Sequence, residues 1–208
     1  MKKLFAAFFL ISVIFASCAS TGNIVSENLG ECFIEDSYGF SMYIPKGWII
    51  QKDSERKGLI ATGPYEYGTP AIYFTDLQYK GSVSANTDSM INVFREYPDF
   101  ELLQRKRFKT NTGLNGEYIT YITDTKNGKI RHKMCFIENK EKTAIRVLIF
   151  FVPPEIGDKY DNLFDECAKT FNWTNSQAKA KKNEQKKVII TGFPNDRNDQ
   201  IVWVTFNS

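Results

Sequence analysis

The sequence predicts an α+β domain, an antiparallel β-sheet with helices packed on its faces, followed by a C-terminal β-hairpin extension. Three observations predict it. Short alternating runs broken by Gly, Pro, Asn and Ser recur from Glu31 onward, the pattern of antiparallel strands joined by tight turns. Two stretches, one around Met90 and one from Ile156 to Phe171, switch to a helical period. Between them residues 142–152 are almost continuously apolar, interrupted by Arg146, which suits a central strand covered on both faces.

The chain opens on Met1-Lys2-Lys3 and an apolar run over residues 4–16. A basic start and a short apolar run make a signal-peptide core, since a permanent membrane helix needs about 20 apolar residues. The run ends in Phe15-Ala16-Ser17-Cys18, which resembles the lipobox of bacterial lipoproteins, with Phe15 where leucine is commonest. That resemblance implies a diacylglyceryl group on the Cys18 thiol, cleavage before it, and acylation of the new amine. Each buried methylene contributes about 0.8 kcal/mol, so two or three chains, palmitate among them, form an effectively permanent anchor. An ordinary cleaved signal peptide and a retained helix are the alternatives. The expected segments are a leader over 1–17, a flexible tether over 18–30, a main domain over 31–173, a Lys-rich linker over 174–187 and the hairpin over 188–208.

About 190 residues follow the leader, enough for one ordinary domain with an extension. Aromatic residues make up 14% of the chain, so a substantial core can be buried. Loss of Lys2 and Lys3 lowers the formal charge from +3 to +1. A near-neutral chain gives no bulk electrostatic case for nucleic acid. With Cys18 taken by lipid, Cys32, Cys135 and Cys167 remain. An envelope location permits disulfides, but an odd count leaves at least one thiol out. None has metal-ligand spacing, and all read as small buried or half-buried residues.

Residues 31–36 and 40–44 alternate and are separated by Ser37-Tyr38-Gly39. Pro45-Lys46-Gly47 breaks the second run, because proline cannot donate to a sheet and glycine permits the turn. Further strands are expected over 48–52, 58–62 and 71–78. The first helix carries Met90, Ile91, Val93, Phe94 and Tyr97, with Asn86 or Thr87 as N-cap, Asp88 in the first turn, and Pro98 as its stop. A meander follows over 100–109, 116–125 and 130–138, and Asn127-Gly128 marks its second turn, the strongest short hairpin signal. Pro153-Pro154 opens the longest helix, with Ile156, Tyr160, Leu163, Phe164, Cys167 and Phe171 on one stripe and Asp158, Asp161, Asp165 and Lys169 off it. The last expected strands, 188–191 and 201–206, make one hairpin that alone is marginal in water.

The run Tyr38-Gly39-Phe40-Ser41-Met42-Tyr43-Ile44-Pro45-Lys46-Gly47-Trp48 resembles the opening of PsbP-like domains. So does the element order, which closes on Phe171-Asn172-Trp173. The resemblance covers about 31–173 and implies an α/β/α sandwich. The family includes a photosystem II extrinsic subunit, a Ran-binding import factor and bacterial lipoproteins, mostly binding modules without catalysis. Fold alone does not fix function.

The candidate chemistry is sparse. His132 is the only histidine, and no Gly-x-Ser-x-Gly, His-Glu-x-x-His or similar motif accompanies it. If Asn127-Gly128 is a two-residue loop, Thr123 faces His132 and Asp124 faces Arg131, with His132 near the end of the core face. Arg105 and Arg107 alternate, as do Lys129, Arg131 and Lys133, so each set shares one side of its strand. Together they offer a basic stripe for an anionic headgroup, glycan or partner, or a solvated face with charge pairs such as Asp124–Arg131. Tyr65 and Tyr67, in a Gly/Pro loop, are candidate contact aromatics. Trp48 reads as a packing residue. Asn195, Asp196, Asn198 and Asp199 crowd one loop but lack calcium-loop spacing and read as turn formers.

The expected function is therefore a lipid-anchored envelope protein acting as a binding module, with no cofactor or metal. Its expected partners are the membrane through Cys18 and an envelope protein or anionic envelope component. Ala19-Ser20 lacks the aspartate retention signal of enterobacterial lipoproteins, which by resemblance favours the outer membrane. A small-ligand or divalent-ion binder is the second reading and a hydrolase the third.

Overall fold

The computed structural model of the chain describes residues 26–35, 39–53, 58–65, 70–77, 79–125, 128–174, 189–190 and 204–205. In chain order its elements are β1 (Leu29–Glu35), β2 (Phe40–Pro45), β3 (Ile49–Asp53), β4 (Gly58–Thr62), β5 (Ala71–Leu77), α1 (Val83–Phe94), β6 (Glu101–Lys109), β7 (Asn115–Thr125), β8 (Gly128–Glu138), β9 (Ile145–Val152), α2 (Gly157–Thr170) and β10 (Asn172–Trp173). Strands β3 to β9 form one antiparallel sheet in the order β3-β4-β5-β9-β8-β7-β6. A smaller sheet has the order β1-β2-β10. The apolar run expected to be central is β9, flanked by β5 and β8.

The two faces of the large sheet carry separate cores. On one, Met90, Ile91 and Phe94 of α1 pack against Ile119, Tyr121, Met134, Phe136 and Val147. On the other, Tyr160, Phe164 and Cys167 of α2, with Phe40, Met42 and Ile44 of β2, pack against Cys135, Leu148 and Phe150. This is the α+β arrangement, helices on both sides of an antiparallel sheet, that the element order implied. Among the described residues no helix is long and apolar enough to cross a membrane.

Helix α1 begins earlier than its apolar stripe suggests. Its N-cap is Ser82, whose side chain accepts from the Ala85 N–H at 3.0 Å. Asn86 and Thr87, expected as caps, are buried inside the helix, where Thr87 donates to the Val83 carbonyl at 3.0 Å. Asp88 accordingly lies beyond the first turn. The helix ends at Phe94, before Pro98.

The β7–β8 hairpin also departs from the simplest sequence reading. Thr125 pairs with Gly128, so Gly128 belongs to the strand rather than to the turn. His132 faces Tyr121 and Arg131 faces Ile122, not Thr123 and Asp124. The slip is two residues, one full side-chain period, so each residue keeps its expected face. Gly128 has φ +108, which accounts for glycine there.

The Pro-Lys-Gly-Trp segment joins the two sheets. Gly47 has φ +79 and turns the chain from β2 into β3. Trp48 then meets Tyr160 and Phe164 edge-on at 6.1 and 6.2 Å between ring centroids. A Cβ on Gly63 would lie 2.6 Å from the Trp48 ring, so glycine is what lets β4 end beneath the indole.

The closing Phe-Asn-Trp segment returns to the start of the domain. Phe171 stacks on Phe40 at 5.5 Å, and β10 pairs with β2 through Asn172–Ser41 and Trp173–Phe40. Arg146, fully buried, sets its guanidinium over Phe40, Trp173 and Phe74 at 5.2, 5.2 and 5.7 Å, a cation–π cluster that offsets part of the cost of burying the charge. Of the three remaining cysteines Cys32 is half-buried, and Cys135 and Cys167 are buried thiols. Burial pushes both buried thiols up from their ordinary range.

Of the C-terminal extension, one antiparallel pairing is described, β11 (Ile189–Ile190) with β12 (Val204–Thr205). The leader with Cys18, the loop around Tyr67, most of the Lys-rich linker and the 195–199 loop lie outside the described residues.

Candidate functional site

The basic residues singled out in the sequence divide between the two faces of the sheet. Arg105 pairs with Ile119 and Arg107 with Glu117, which places both on the α1 face. Lys133 pairs with Thr120 and Arg131 with Ile122, one residue out of phase with that face, so Lys129, Arg131 and Lys133 lie on the α2 face. One continuous stripe is therefore not formed.

The α2-face set is largely structural. Arg131 donates to Asp158 at 2.9 Å and also to Asp161. Lys133, whose side chain is only 3% exposed, donates to Asp165 at 2.7 Å and lies 3.4 Å from a second Asp161 oxygen. These carboxylates are the ones that the helical stripe left off the apolar face of α2. The expected Asp124–Arg131 pair is replaced by them. Nearby Tyr118 is pushed up to about 12, chiefly by burial and then by Asp165. Lys129 alone of this set is exposed.

On the α1 face the two arginines differ. Arg105 grips the nearly buried Glu117 through Nε at 2.8 Å and its other terminal nitrogen at 3.2 Å, and reaches Asp88 at 2.6 Å. The hydrogen bond to Glu117 is the main cause of its raised pKa. Arg107 is 79% exposed and approaches Glu117 only at 3.8 Å.

Arg107 lines a cleft of about 540 Å³ at one end of the sheet. Three strand ends and a helix start build it: Ser82 and Ser84 at the start of α1, Arg107 and Lys109 from β6, Asn115 and Glu117 from β7, Glu138 from β8, and Lys142 beyond it. The acids are spoken for. Glu117 is held by Arg105, and Glu138 accepts from Asn115 at 2.8 Å. Arg107, Lys109 and Lys142 stand exposed around them, and the positive end of the α1 dipole points the same way. A concave surface with a cationic rim and compensated acids inside attracts anionic groups.

His132 does not join this cleft. It is buried, stacks on Tyr121 at 4.7 Å, and shares a 2.9 Å hydrogen bond with the Thr123 hydroxyl. Burial lowers its pKa to about 3, so it is neutral at physiological pH. Tyr65 is 80% exposed, but at the opposite end of the sheet. Among the described residues no three His, Cys, Asp or Glu side chains are placed to hold a metal ion.

Sequence reading missed Lys109, Lys142, Ser82, Glu117 and Glu138, because the cleft gathers residues far apart in the chain. The available signal was Ser82 four residues before Asn86, with Val83, Thr87, Met90, Ile91 and Phe94 buried along one helical face.

No protein-family model matches the sequence, and no curated protein matches it. Solved structures do match the fold. The solution structure of cyanobacterial PsbP from Synechocystis is similar with a TM-score of 0.53 at 14% identity, over 76% of this chain and 98% of that one. The Ran-binding protein Mog1p of Saccharomyces cerevisiae is similar with a TM-score of 0.52 at 13% identity, over 73% and 98% of the two chains. LpqN of Mycobacterium tuberculosis, described as involved in cell envelope biogenesis, is similar with a TM-score of 0.50 at 12% identity, over 65% and 83%.

Proposed function

The fold of this chain is PsbP/Mog1-like, and from that premise we propose that it is a bacterial envelope lipoprotein, anchored through Cys18, that works as a non-catalytic binding module. The cleft ringed by Arg107, Lys109 and Lys142 is its recognition surface, and an anionic group on an envelope component or partner protein is what it takes. The observation that carries the reading is the contrast between Arg105 and Arg107. One is consumed by the fold, while the other is left to solvent beside Lys109 and Lys142.

Several features support the wider statement. The leader and Phe15-Ala16-Ser17-Cys18 supply an anchor. One fold neighbour is described as involved in envelope biogenesis and another as Ran-binding. The single histidine is buried away from the cleft and neutral, so it is not poised as a general base.

Two measurements test the proposal. Labelled palmitate enters the wild-type chain and not Cys18→Ala; equal labelling, or none in either, removes the anchor. Calorimetric titration uses inorganic phosphate, an oligoglutamate peptide and a sulfated oligosaccharide as anionic probes. At least one binds, and the triple change Arg107→Glu, Lys109→Glu, Lys142→Glu weakens it at least about tenfold, or ~1.4 kcal/mol. Three flat titrations, or equal affinity in the triple variant, would reject the cleft.

A further inference from the structure

We propose that the corner of the domain marked by Ile49 and Tyr65 is a membrane-docking surface, and that its occupant is the bilayer holding the Cys18 lipid. This rests on the lipid-anchored reading above and adds an orientation to it.

The chain arrives at this corner. Lys46 N–H donates to the Asn28 carbonyl at 2.9 Å, and Leu29 pairs with Pro45, so residues 26–28 run beside the turn that leads into Ile49. From Cys18 to Ser26 there are roughly eight residue steps, which span at most about 28 Å when fully extended. An acylated Cys18 therefore keeps Asn28, Lys46 and the start of β3 near the headgroups.

The corner presents apolar side chains to solvent. Ile49 is 63% exposed and Tyr65 80%. The placement of α1 explains the exposure of Ile49. The helix packs chiefly over β7 and β8, and among the described residues its contacts do not extend to Ile49 of β3. Ile49 pairs with Thr62, Thr62 with Ala71 and Ala71 with Phe151, and half-buried Phe151 stacks on Tyr73 at 5.4 Å. The row thus runs inward through half-buried Thr62 and buried Ala71 to apolar rings. Tyrosine suits the headgroup level, with an apolar ring and a polar tip, and Trp48 lies over Gly63, two residues before Tyr65.

Charge at the corner is mixed. Lys46 is exposed, and the first turn of α2, which Trp48 touches through Tyr160, carries both Asp158 and Lys159. The docking is therefore apolar and does not depend on anionic lipid.

The cleft lies at the other end. Strand β5 runs from Ala71, opposite Phe151, to Leu77, opposite Ile145, and Ile145 pairs with the cleft residue Glu138. Roughly six residue steps of about 3.3 Å separate these rows, so the cleft stands about 20 Å farther along the sheet. Docking at Ile49 and Tyr65 turns the rim of Arg107, Lys109 and Lys142 away from the membrane, towards ligands that are not headgroups of the anchoring leaflet.

The test uses full-length acylated protein in phosphatidylcholine vesicles containing brominated lipid. A tryptophan is added at either end, as Tyr65→Trp or Lys109→Trp, and emission of the unsubstituted protein is subtracted. The added emission of Tyr65→Trp is mostly lost to bromine quenching, that of Lys109→Trp is retained, and high salt changes neither. If the protein cosediments with vesicles but Tyr65→Trp is unquenched, or both variants are quenched alike, or salt abolishes the quenching, docking is overturned while the anchor stands. Failure of the wild type to cosediment rejects the anchored reading and the docking with it.

Discussion

Lys133 on β8 donates to the Asp165 carboxylate of α2 at 2.7 Å, and its side chain is 3% exposed while that of Asp165 is 26% exposed. The pair is therefore lopsided: the cation is buried and the acid is not. Removing the acids strands a charge, whereas removing the lysine frees carboxylates that water can reach. We expect Asp161→Ala with Asp165→Ala to cost about 3 kcal/mol, and Lys133→Met to cost less than about 1.5 kcal/mol. Urea unfolding of both variants checks the order.

The arginines of β6 separate folding from binding in the same way. Arg105→Ala leaves the nearly buried Glu117 without its strongest partner, and should cost about 1–2 kcal/mol. Arg107→Ala removes an exposed side chain 3.8 Å from the same acid, and should change stability by less than about 0.5 kcal/mol. Anionic probe binding should weaken in the second variant, with its melting temperature unchanged. Thermal melts and calorimetry on the pair read both effects.

His132 makes the fold sensitive to mild acid. Its folded pKa is lowered by burial to about 3, from an ordinary 6.5. The stability tied to neutral His132 is complete above the unfolded value. It is lost as pH falls from about 6.5, because the unfolded chain takes up a proton that the folded chain refuses. The limiting slope is about 1.4 kcal/mol per pH unit. Urea midpoints measured from neutral pH down to about pH 5 should fall steeply for the wild type and less steeply for His132→Gln.

Gly63 tests the structural reading of Trp48. Its added Cβ would meet two ring carbons at 2.6 and 2.7 Å. Gly63→Ala should destabilise by about 1–3 kcal/mol. Combining it with Trp48→Phe, which withdraws the indole, should cost less than the two single changes summed. Additive costs in a double-mutant cycle would show that the contact is not the cause.

The elements were legible because their periods are strong. The apolar run of β9 and the stripe of α2 declared themselves, and a register slip of two residues left the faces of the β7–β8 hairpin intact. The start of α1 was harder. Ser82 to Asp88 is rich in Ser, Asn, Thr and Asp, which compete with the helix backbone through their own hydrogen bonds, and burial of Val83, Asn86 and Thr87 is what ties them to the stripe. The site was harder still. Alternation shows that Arg105 and Arg107 share a face, and that Arg131 and Lys133 do, but not that the strands are phased so that the sets oppose one another. Nor does it reveal that α2 supplies the carboxylates that occupy the second set.

Tyr43 N–H donates to the Thr170 hydroxyl across 127 residues of sequence, and Phe40 has to wait for Phe171 in the same way. The first strands therefore find their last neighbours only when nearly the whole polypeptide exists. Contacts of that separation form slowly. Until residues 170–173 are made, β2 lacks its β10 neighbour and Phe40 lacks the ring it stacks on.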